Sequence, residues 1–177
     1  MQKMNAANAY CKLSISGLAF IFGMFLLSSC GVYTLKDVSI PPDIKTIKLH
    51  LIENKARFVN PRLGPALTTK LQDKIVGQTR LNRTDNEEAD WVVTGYISDY
   101  NIETSGINGK QASMNRLTVA VEITLKDNKT QKSTDYSVTK SFEFNSSKSL
   151  EQAGNELFDD ILKGVSDEIF NRLFSNW

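Results

Sequence analysis

Few side chains in this sequence can do covalent chemistry: two cysteines, Cys11 and Cys30, and a single histidine, His50. Cys30 directly follows Leu27-Ser28-Ser29, at the end of an apolar run from Leu13 to Leu27 whose only preceding charges are Lys3 and Lys12. A thiol in that setting resembles a bacterial lipobox. A diacylglycerol is attached to the sulfur, the peptide is cut just before the cysteine, and the new amino terminus is acylated. The leucine holds the site at the membrane surface, and the small pair lets extended backbone enter a peptidase. Each chain contributes about 0.8 kcal/mol per buried methylene, so several chains on one residue anchor a soluble domain stably. The same residues would also serve an ordinary cleaved signal or an uncleaved anchor. About 15 helical residues cover roughly 22 Å, short of the roughly 30 Å hydrocarbon core, which favours a cleaved signal. Gly31 follows the cysteine where an aspartate would suggest inner-membrane retention in some bacteria, so the outer membrane is favoured.

Beyond Cys30 the candidates thin out. His50 lies opposite Leu49 and Leu51 on a strand-like stretch and reads as a surface residue. Asp85, Glu87, Glu88 and Asp90 bring four carboxylates together without EF-hand spacing, and read as a solvated loop rather than a calcium site or an acid–base pair. Gly106 to Gly109 lacks the lysine and hydroxyl of a phosphate loop. No catalytic residue, metal site or cofactor is expected beyond the covalent diacylglycerol and N-acyl chain on Cys30, and an enzyme is not expected.

Processing at Cys30 would remove the first 29 of 177 residues and leave 148, enough for one domain with a sizeable core. It would also remove Cys11, leaving no thiol pair. Of 21 basic residues 19 would remain against 20 acidic, so no basic excess points to nucleic acid. The chain therefore divides into a signal peptide over 1–29, a lipidated cysteine with an extended tether over 30–45 containing Pro41 and Pro42, and a single domain over 46–177.

Within that domain Ile47, Leu49 and Leu51 alternate as a half-buried strand. Asn60-Pro61 is a helix-start signal, and Leu63, Leu67, Leu71 and Ile75 share one helical face that ends near Gly77. The stretch Asp90 to Tyr100 is strand-like, with Trp91, Val93 and Ile97 on one side. Leu117 to Leu125 alternates apolar with Thr118, Ala120, Glu122 and Thr124, and Asp127-Asn128 offers a turn into a strand marked by Tyr136, Val138, Phe142 and Phe144, interrupted by Lys140. Ser149 and Gln152 form a capping-box pattern opening a long helix to about Phe174. The order is strand, helix, three strands, helix. The expected fold is α+β, a two-layer sandwich with two helices on one face of a mostly antiparallel four-stranded sheet.

Taken together, the lipobox, the strand around Ile47 to Leu51, NPRLGPALTTKLQDKIVGQTRL from Asn60, WVVTGYISDY from Trp91, NRLTVAVEITL from Asn115 and the ending IFNRLFSNW resemble the LptE family of lipopolysaccharide-assembly lipoproteins. The resemblance covers nearly all of the processed chain and rests on the ordered set rather than on any single motif. It implies a non-catalytic role as a plug in the lumen of a large outer-membrane β-barrel, LptD. Family members help that barrel assemble, and bind or disperse lipopolysaccharide on its way to the outer leaflet. The partners implied are an LptD-like barrel, lipopolysaccharide and, through the lipid anchor, the outer membrane, with the domain on the periplasmic side or inside the barrel. A periplasmic lipoprotein that pilots or chaperones another envelope machine, such as a secretin, is the alternative.

Two features are expected to make contacts. Lys110 and Arg116, in a loop with Ile107, Met114 and no acidic residue, offer cations for lipopolysaccharide phosphates, the alternative being a solvated hairpin loop. On the last helix Phe170, Phe174 and Trp177 project away from the face of Leu150, Leu157, Ile161 and Val165, and suggest a partner-docking patch, the alternative being that this end frays or folds back to close the core.

Overall fold

The alternation from Leu117 to Leu125 folds as the centre of a mixed sheet. In the computed structural model, residues 40–104 and 114–175 are described, and all belong to one compact unit. Strands run β1 (Thr46–Leu49), β2 (Glu53–Asn54), β3 (Asn82–Arg83), β4 (Trp91–Thr104), β5 (Met114–Asp127) and β6 (Lys132–Asn145). Helix α1 (Leu63–Gln78) lies between β2 and β3; α2 (Leu150–Glu156) and α3 (Phe158–Phe174) follow β6. The sheet order is β3-β1-β4-β5-β6, with β2 also on β4.

The α+β class and the β4-β5-β6 antiparallel meander are as expected, but the sheet is mixed and has six strands rather than four. β1 pairs in parallel with β3 and β4, and β2 in parallel with β4. The reason is the connection: a whole helix separates β1 from β4, long enough for a parallel crossover, whereas the last three strands are joined consecutively. β2 and β3 are two residues each and carry no periodic signal.

Helix α1 buries Leu63, Leu67, Leu71 and Ile75, the anticipated stripe. It starts two residues later than Asn60-Pro61 would suggest, because Asn60 Oδ1 accepts from the Arg62 amide in a turn before the helix. Gly64 sits where a Cβ would collide with the Ile52 carbonyl, so α1 lies directly on the β1–β2 segment. There Thr68 Oγ1 accepts from the Ile52 amide at 2.9 Å.

The carboxyl-terminal helix is two helices. The capping box forms, with Ser149 and Gln152 bonding reciprocally, but Leu157 leaves helical geometry and α3 starts anew after it. Gly154 of α2 sits against the Tyr100 hydroxyl, a position that admits no side chain. α3 is in turn held alongside α1, where Lys74 Nζ donates to Asp167 at 2.6 Å. Tyr100 points inward because a β-bulge between Ile97 and Asp99 inserts one residue and inverts the alternation of β4 beyond it.

The core also takes in Ile40 and Ile44, from the stretch read as a tether. Arg80 holds that segment by donating to the carbonyls of Ile40 and Pro41 at 2.6 and 2.7 Å.

Candidate partner and glycolipid surfaces

Of the aromatics expected to form a docking patch on the last helix, Phe170 and Phe174 pack into the core. Phe170 is 5% and Phe174 2% exposed. Phe174 lies 6.1 Å from the Trp91 ring and 4.8 Å from Phe170, and Lys74 Nζ stands 5.2 Å over the Phe170 ring. α3 meets two neighbours, the sheet and α1, so it buries a broader arc than one seam requires, and the aromatics assigned to a free side fill that arc. Trp177, Lys110 and Cys30 lie outside the described residues.

Arg116 occupies β5 with its side chain 44% exposed, Nη2 3.9 Å from Glu143 Oε1. In register it stands between Glu103 and Glu143. Both its neighbours in the row are carboxylates, which disfavours a phosphate there.

The acidic loop resolves into two structural clamps. Asp90 Oδ2 accepts from the amides of Lys45 and Thr46 at 2.7 and 2.9 Å, and its own amide donates to Thr46 Oγ1. Lys129 Nζ stands 3.3 Å from Asp90 Oδ1. Donation from the Lys45 amide, with that from Thr46, holds the Asp90 carboxyl down at about 2 despite some desolvation. Glu87 accepts from Lys48 Nζ at 2.6 Å and lies 3.2 Å from His50 Nε2, which accounts for the lone histidine. Among the described residues no three metal-ligating side chains cluster.

Among the described residues two surfaces remain open. At the start of α1 a groove of about 580 Å³ is lined by Phe58, Val59, Pro61, Tyr100 and Leu150, with Arg62, Glu151 and Asn155 among its polar lining. Phe58 and Val59 are 50% and 60% exposed. Arg57 lies over the Phe58 ring at 5.7 Å, and Arg62 over Phe158 at 4.8 Å. Apolar walls with guanidinium groups nearby can take an acyl chain beside an anion. Sequence reading missed this site because its lining comes from a loop, a strand and a helix far apart in the chain.

The second surface is the face of the sheet away from the helices. Register aligns its side chains in rows across β4, β5 and β6: Thr94-Thr124-Asp135, Tyr96-Glu122-Ser137, Asp99-Ala120-Thr139, Asn101-Thr118-Ser141 and Glu103-Arg116-Glu143. Within the rows hydroxyls hold the acids. Thr124 donates to Asp135 at 2.6 Å and Ser137 to Glu122 at 2.9 Å, while Thr118 and Ser141 pair at 3.0 Å.

Among the described residues no helix is long and apolar enough to cross a membrane. No curated protein matches the sequence. Solved structures similar to the chain include hypothetical protein CT253 from Chlamydia trachomatis, at 7% identity and TM-score 0.48, covering 75% of this chain and 99% of that one. The PelC dodecamer from Paraburkholderia phytofirmans is similar at 15% identity and TM-score 0.45, covering 75% and 89%. Lipoprotein GNA1162 from Neisseria meningitidis is similar at 14% identity and TM-score 0.37, covering 70% and 99%. The family model described as LptE, lipopolysaccharide-assembly, matches residues 44–173. That match takes in the helical layer almost to its end, the whole β4-β5-β6 meander and both open surfaces, and the chain belongs to the LptE lipopolysaccharide-assembly family.

Proposed function

We propose that this protein is a non-catalytic subunit of an outer-membrane lipopolysaccharide translocon, seated as plug and assembly factor in an LptD-type β-barrel and aiding delivery of lipopolysaccharide to the outer leaflet. The observation that carries the reading is the family match across residues 44–173. A small domain whose apolar residues are spent on one face of its sheet, with hydroxyls and charges on the other, suits a barrel lumen, because barrel interiors are polar. Co-purification from detergent with an LptD-type barrel tests it. A stable complex is expected, and recovery of the protein without any such barrel would sink the proposal.

The same reading places a lipid anchor on Cys30. Cys30→Ser should abolish fatty-acid labelling and leave the precursor uncut. Normal labelling of that variant would refute the assignment.

A further inference from the structure

Among the described residues the helices cover one face of the sheet and nothing covers the other. Three 14-residue strands spaced about 4.8 Å apart and rising about 3.3 Å per residue make a surface of roughly 45 by 14 Å, about 600 Å². That approaches the roughly 800 Å² which each partner contributes to a standard protein interface. Its charge is predominantly acidic. Across β4, β5 and β6 the open face carries Asp99, Glu103, Glu122, Asp135 and Glu143 against Arg116 and Lys126, and at its β1–β2 edge Lys48 and Lys55 are already paired with Glu87 and Glu53.

Several occupants are disfavoured by that chemistry. Lipid phosphates are repelled by the carboxylates, and along β5 and β6 an acyl chain finds hydroxyls, the exposed apolar groups Leu51 and Tyr96 being confined to the β2 edge. A second copy laid face to face would set acid against acid. A divalent ion has no cluster of three ligands among the described residues. Edge-to-edge pairing through β6 is also opposed, because Lys140 points to the helix side of that edge strand, 3.5 Å from Glu168 on α3.

We infer that the open sheet face is the docking surface for a cationic protein wall, one that presents lysine or arginine together with hydroxyl or amide donors. Resting on the function proposed above, this wall is the inner surface of the partner barrel. The face is prepared for it. Asp135 and Glu122 are already held by Thr124 and Ser137, and Asp99 accepts from Asn101 Nδ2 at 2.6 Å, so fewer rotamers are lost on docking. The Phe58 groove belongs to another part of the surface, and docking through the sheet leaves it for a different ligand.

The test is recovery of the barrel from cells that co-express it with the full-length chain. Glu122→Lys with Asp135→Lys should cut recovery at least tenfold, whereas Asp73→Lys with Asp160→Lys, on positions of the helical layer, should change it less than twofold. The milder pair Glu122→Gln with Asp135→Asn keeps shape and an acceptor for each hydroxyl. Its recovery should fall at least threefold, with thermal melting of the free protein shifted by no more than a few degrees. Wild-type recovery by this neutral pair overturns the inference, even if the lysine variant fails to fold. Recovery with neither wild type nor variant overturns the proposed function and this inference with it. Recovery with both overturns this inference alone.

Discussion

The two faces of one sheet are built from alternate residues of the same strands, yet they differ in almost every physical respect. On the helix side Val119, Val121, Ile123 and Val138 are essentially inaccessible and join one core with Ile161, Val165 and Ile169. On the other side Thr118, Thr124, Ser137 and Ser141 bond one another or nearby carboxylates across the strands. The contrast separates two jobs. Burial at about 25 cal/mol per Å² of apolar surface makes the first face responsible for folding. Exposed cross-strand pairs, at about 0.2–1 kcal/mol each, contribute little to stability and leave the second face free to be chosen by a partner.

The sharpest way to break that division is to damage the helix side. Phe174→Ala removes a ring that touches both Trp91 and Phe170. It should cost about 3–5 kcal/mol, since loss of a buried aromatic forfeits transfer energy and leaves a cavity. Thermal or denaturant unfolding of the protein without any partner measures it. A variant that melts like the wild type would restore the idea that this aromatic end is a free surface.

That idea shows where sequence reading stops. The β5 alternation and the Leu63–Ile75 stripe were legible because each element faces one neighbour, so burial follows a single period. The projection of α3 at about 100° per residue finds one seam, but α3 packs against the sheet and α1 together, and only the tertiary arrangement reveals the second. Tyr100 is similar: counting by twos from Trp91 and Val93 puts it outside, and the bulge before Asp99 puts it in the core. The open face escaped notice as a unit for a related reason. Its acids are scattered along the sequence from Asp99 to Glu143 and become neighbours only through the β4-β5-β6 register.

A smaller effect is expected at the clamp that ties the start of β1 to the start of β4. Asp90 is held at about 2 from an ordinary value of 3.8, chiefly by the amide of Lys45. A carboxyl depressed in the folded state stabilises above its unfolded pKa and loses that contribution as pH falls through the folded value. Stability from Asp90, about 1–2 kcal/mol given its partial exposure, should be complete above about pH 5 and decline between about pH 4 and pH 2. Asp90→Asn should flatten that part of the stability profile. An unchanged acid limb in the variant would show that the clamp carries no charge-dependent stability.

The least effect belongs to the open face itself, and there a small number is the informative one. Thr118 Oγ1 and Ser141 Oγ pair at 3.0 Å in the middle of a row, with Thr118 buried by its neighbours. Thr118→Val with Ser141→Ala removes both hydroxyls at once, so neither is left as an orphaned polar group, and the β-branched replacement keeps strand preference. The free protein should therefore change by no more than about 0.5 kcal/mol, because removing both partners of a hydrogen bond together is nearly neutral even where one of them is buried. Equilibrium unfolding of this pair beside Phe174→Ala compares the two faces directly. A loss above about 2 kcal/mol, well outside that range, would mean that the hydroxyl rows hold the sheet together, and the separation of a folding face from a docking face would fail.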